Sequence, residues 1–146
     1  LENAFYIMAP GLYVPVTGIT NIVKQYTAQD YLIDRRYRYF YLYFDRLESS
    51  ADFERLRDLV ENIYTNDYLN KQIVNWNQIF TEADGKSGLP QQLDFYSRFV
   101  RNNKERTVVI ISDALRYEVG RTLFEKIQAD EKCTATISAM QAVGAA

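Results

Sequence analysis

The chain has 146 residues, 17 basic and 19 acidic side chains and a net charge of −2, the size of one compact domain. That balance gives no general pull toward nucleic acid or acidic membranes. One cysteine, Cys133, excludes an internal disulfide and a cysteine-only metal site. The absence of histidine excludes Ser-His-Asp triads and His-based zinc sites built from these residues alone.

A hydrophobic fraction of 47% is enough for a buried core. No apolar run approaches the roughly 18 residues of a membrane span, and the start does not read as a secretory signal. With a single cysteine, these features give the expectation of a cytoplasmic protein with no membrane partner.

Residues 1–18 have little helical periodicity, and Pro10-Gly11 and Pro15 mark turns or extended structure. A helix is expected from Thr17 or Thr20 as its cap. Apolar positions then recur at helical spacing: Ile22, Val23 and Tyr26, followed by Ile33, Tyr37, Phe40, Phe44 and Leu47. The aromatic stretch 35–44 could form a strand, since aromatics favour strands. A strand would put large rings on both faces, whereas the stripe stays in helical phase, so helix is the reading. Arg35, Arg36 and Arg38 are expected on its solvent side.

Arginines tracking phosphates and tyrosines stacking on bases could also bind single-stranded nucleic acid. A packed helix face explains the same residues, and direct nucleic-acid binding is not expected of this segment.

A second helix is expected after Ser49 or Ser50, with Asp52 and Glu54 at its positive end. Its apolar face would be Phe53, Leu56, Leu59, Val60 and Ile63, with a break or bend near Thr65–Asp67. The pattern continues through Tyr68, Leu69, Ile73, Trp76 and Phe80. Residues 82–88 read as a polar loop. Gly85-Lys86-Ser87 resembles the end of a phosphate-binding loop, but position 80 is Phe80 rather than glycine, so it is taken as surface. Pro90 suits the first turn of a helix running to about Arg101. The charged connector 102–106 is the expected domain boundary.

Residues 107–112 then read as a strand buried on both faces, because Val108 to Ile111 are all β-branched. Leu115, Val119, Leu123 and Ile127 would pack a following helix on the sheet. Cys133–Ile137 alternates with threonines and could form a second strand. Asp113 falls where the first strand ends, the position at which open α/β sheets place ligands. A carboxylate there is a candidate metal ligand or catalytic group; it is equally a candidate helix N-cap. Arg116, in the next turn, could clamp a phosphate or pair with a nearby acid.

Ser112-Asp113-Ala114-Leu115-Arg116-Tyr117-Glu118, following a hydrophobic strand, resembles the start of a PglZ domain. Val60–Leu69 and Gln91–Tyr96 resemble the helical segment upstream of that domain in BREX phage-resistance proteins. The resemblance implies a mostly α-helical segment, residues 1–106, leading into the N-terminal βα(β) portion, residues 107–146, of an alkaline-phosphatase-like α/β domain.

It further implies a metal-dependent phosphatase or phosphodiesterase. Asp113 would be a ligand for a divalent metal, zinc first among them, and Arg116 a contact for substrate. Tyr117 and Glu118, also in the motif, are expected to be structural. Relatives use several Asp and His ligands and a Ser or Thr nucleophile after the second strand. Thr134, Thr136 and Ser138 lie near that region without the expected context, so no nucleophile is assigned.

The chain is therefore expected to be a fragment, inactive alone and without tightly bound metal. Its sheet edge should be incomplete, with self-association or instability there. Its partners would be other proteins of the defence system. Two rival roles stand beside this one: an interaction scaffold with a degenerate hydrolase fold, and the output domain of a two-component regulator.

Overall fold

A computed structural model describes residues 1–83, 86–113 and 115–142. They divide into two compact units, 1–85 and 86–146. Residues 86–106, expected as part of the helical lead-in, cluster with the later residues.

The first unit is helical. α1 (Glu2–Ile7) precedes the turn at Pro10-Gly11, and α2 (Ile19–Gln25) follows. The cap of α2 is Gly18, at φ 81°, rather than Thr17 or Thr20. The left-handed backbone there is one that a β-branched residue adopts only under strain. A π-helical turn (Tyr26–Asp30) joins α2 to α3 (Tyr31–Phe44). The aromatic stretch is thus helix, and Ile33, Phe40 and Phe44 form its buried stripe. Leu47 lies beyond the helix end and is exposed.

Ser50 precedes a 3-10 turn (Ala51–Phe53), without a side-chain cap bond, and α4 (Glu54–Asn62) follows. The bend expected near 65–67 takes the form of a seven-residue π-helix (Ile63–Leu69) running into α5 (Asn70–Glu82). Val60, Tyr64 and Tyr68, spaced four apart along this continuous helical stretch, all reach the core.

That core joins Ala4 and Ile7 of α1 to the α3 stripe and to Val60, Tyr64 and Tyr68. Polar ring atoms inside it are satisfied. The Tyr26 hydroxyl donates to Asp34 Oδ2 at 2.5 Å and the Tyr64 hydroxyl to Asp34 Oδ1 at 3.1 Å. Tyr37 stacks on Tyr64 with ring centroids 3.6 Å apart. The arginines of α3 are half-buried rather than solvent-facing. Arg36 pairs with Glu2 at 2.7 Å, and the Arg35 and Arg38 guanidiniums lie over the rings of Tyr31 and Tyr39.

The second unit has a 3-10 turn (Gln92–Asp94), a π-helical turn (Tyr96–Val100) and α6 (Tyr117–Gln128). Among the described residues there is no strand. Residues 107–112 and 133–137 are irregular, so the expected β elements and the start of a sheet do not appear among the described residues. The physical reason is visible in exposure: Val108 is 74%, Ile110 86% and Ile111 90% exposed. A β-branched run becomes a parallel strand only when neighbouring strands take its backbone bonds and helices cover its faces. Leu115 and Leu123, expected to pack on that sheet, are exposed too. One isolated parallel bridge, Gln91 with Gln141, is present.

Candidate functional site

Asp113 lies in a turn, exposed, at the end of the irregular apolar run. It does not cap α6. The cap is Arg116, whose extended backbone (φ −64°, ψ 147°) lets its carbonyl accept from the amides of Val119 and Gly120, both at 3.0 Å. The N-cap reading of Asp113 is thereby corrected: the helix starts one turn later than the motif suggests. Arg116 is exposed as well, so both expected site residues stand in the segment that leads into α6.

Among the described residues, no group of three His, Cys, Asp or Glu side chains comes together in a way that could hold a metal. Asp113 therefore supplies one hard oxygen donor and not a closed site. Thr134, Thr136 and Ser138 are exposed on irregular backbone. Ser138 lines an apolar groove with Phe95, Tyr96, Val109, Ile110 and Met140.

Glu118, in the first turn of α6, is fully buried, and the Arg121 guanidinium sits 5.2 Å from the Phe124 ring centroid one turn on. A buried carboxylate in this motif is a feature that sequence reasoning assigned only a generic structural role. Its acidic position at a helix start was the available signal.

Ser87 is also buried, and no ordinary surface-loop residue. Its hydroxyl and its amide both donate to Gln141 Oε1, the amide at 3.1 Å. Gln141 also exchanges backbone bonds with Pro90 and Gln92, each 2.8 Å. Gly85, and Ala114 of the motif, lie outside the described residues.

With this geometry in place, the comparisons are specific. Residues 95–145 match the family model described as the BREX system PglZ alkaline phosphatase-like domain. This stretch belongs to the PglZ family. The PglZ match takes in Asp113, Arg116, the whole of α6 and Gln141.

Two curated relatives extend it upstream. The alkaline phosphatase-like protein PglZ of Bacillus cereus (strain H3081.97) is 41% identical in an alignment of 130 residues that covers 84% of this chain. The alkaline phosphatase-like protein BrxZ of Escherichia coli O9:H4 (strain HS) is 32% identical in an alignment of 127 residues that covers 78% of this chain. The chain spans about 15% of the length of each of these relatives. No solved structure matches. No helix among the described residues is long and apolar enough to cross a membrane.

Proposed function

We propose that the chain is part of a PglZ-type, metal-dependent phosphatase or phosphodiesterase of a bacterial BREX phage-defence system, working in the cytoplasm with other proteins of that system. The observation that carries this reading is the match over 95–145, with Ser112–Glu118 leading into α6. The exposed Val108–Ile111 run supports it, because that run has the composition of an inner parallel strand and lacks its neighbours here.

Asp113 is proposed as one ligand of a divalent metal, zinc by preference, and Arg116 as a substrate-phosphate contact. The described residues do not form a metal site by themselves, since Asp113 is a single donor among them. No catalytic step is therefore built on a metal here, and no nucleophile is assigned. The remaining ligands would come from other parts of the longer protein.

The chain by itself is expected to bind zinc weakly and to turn over no phosphoester. Calorimetric titration of the purified chain with zinc tests this: stoichiometric tight binding, lost in Asp113→Ala, would overturn it.

An interaction role is a second reading, favoured by an apolar groove in the first unit. Its wall includes Leu1, Tyr43, Leu47, Phe53 and Leu56, most of them exposed. Capture of other defence-system proteins by the first unit, with no hydrolysis by the longer protein, would establish that role instead.

A further inference from the structure

An open surface pocket of about 390 Å³, lined mostly by exposed residues, lies in the first unit beside Asp30, at the junction of the π-helical turn and α3. Its wall includes Tyr6, Pro10, Val14, Gln25, Gln29 and Asp30, so it is half polar and half apolar in character. Asp30 is half-buried. Among the described residues its carboxylate accepts only from the Gln25 side-chain amide, at 3.2 and 3.5 Å, and no lysine or arginine pairs with it.

The same amide nitrogen reaches the Val14 carbonyl at 3.3 Å, so Gln25 ties Asp30 to the opposite loop. The situation contrasts with Asp34 one turn on, whose two oxygens each accept a tyrosine hydroxyl. A carboxylate taken partly out of water normally acquires a cation or several hydrogen bonds. Asp30 has one amide and an adjoining pocket.

We propose that this pocket binds an alkylammonium or alkylguanidinium group, the chemistry of a lysine or arginine side chain. The cationic head would meet Asp30, and its aliphatic stem would lie along Pro10 and Val14. Burial pushes the Asp30 carboxyl above the usual carboxylate range, which a bound cation would relieve. The site is separate from Asp113 and its motif in sequence, in unit and in chemistry. It therefore stands or falls independently of the phosphoesterase reading.

The test is an NMR titration of the whole chain, following the side-chain amides of Gln25 and Gln29. The probes are n-butylguanidinium, n-butylammonium and neutral n-butanol, together with a blocked Gly-Arg-Gly peptide. Saturable shifts with the cations and not with butanol are expected, weakened at least about tenfold by Asp30→Asn, as for loss of a charge-assisted hydrogen bond.

Ala9→Lys, at an exposed pocket position, is a second variant that keeps Asp30. Its own ammonium should fill the pocket and abolish binding of added cations. Tighter binding of the peptide would identify a protein partner as the source, and equal binding a free amine. Absence of saturable shifts, equal binding of butanol, or unchanged binding in both folded variants would overturn the proposal. Should Asp30→Asn fail to fold, the preference for cations over butanol and the Ala9→Lys result decide.

Discussion

Ile110→Thr separates an apolar run that is merely exposed from one that waits for a sheet. Threonine keeps the β-branch, so strand preference is nearly unchanged, and only the apolar surface is lost. In this chain Ile110 is 86% exposed, so almost none of its side chain is removed from water. Stability should change by no more than about 0.5 kcal/mol, as for an ordinary surface substitution. If the run becomes an inner strand of the longer protein, the same isoleucine gains about 1.5–3 kcal/mol by full burial. Its replacement by a hydroxyl-bearing residue should then cost at least about 2 kcal/mol.

The assay is urea unfolding of the chain by circular dichroism, beside thermal unfolding of the longer protein. A loss above about 1 kcal/mol in the chain would show that the run is already buried. An unchanged melting temperature in the longer protein would refute the strand assignment itself. Reduced self-association of the variant chain, read by sedimentation, is the accompanying expectation, since an exposed β-branched run invites pairing with another copy.

Glu61 gives a pH prediction. The Tyr37 hydroxyl donates to its Oε2 at 2.5 Å, and Tyr41 donates to the same oxygen. These bonds hold the Glu61 carboxyl below the usual glutamate value of 4.5. A folded pKa below the unfolded one means the stabilisation is complete above about pH 4.5 and is lost as pH falls through the folded value. Glu61→Gln should flatten that acid limb of a stability–pH curve measured by urea unfolding; an unaltered limb would remove the tyrosine bonds from the account.

Gly120 gives a second contrast, because it sits inside α6 and a Cβ added there would meet nothing within 4 Å. Gly120→Ala should stabilise the chain by about 0.5–1 kcal/mol in the same unfolding assay. A destabilisation would mean that another element packs closely at that position.

The helical unit was largely legible because its signal is local. The spacing of Ile33, Phe40 and Phe44 places one face of α3 in the core whatever surrounds it. Even the disturbance near Thr65–Asp67 could be read, although its form as a π-helix could not, since i→i+5 bonding leaves no residue signature of its own. The partners of Arg36 could not be read because composition shows charge and not partners: Glu2 and Tyr6 lie about thirty residues away in sequence.

The run at 108–111 marks the other limit. Its residues state what a strand would bury, but a parallel strand is made by its neighbours, and 15% of a relative's length supplies none that pair with it. Asp113 was picked out by position and resemblance, whereas Glu118's complete burial depends on packing around α6 that no spacing rule reports.

The most direct measurement is hydrolysis of generic phosphomonoesters and phosphodiesters by the longer protein that contains this chain, with divalent metal supplied, beside its Asp113→Ala variant. Metal-dependent turnover that falls to background in the variant is the expected result. Turnover unaffected by Asp113→Ala, or none from either protein, would contradict the assignment of Asp113 to a working metal site.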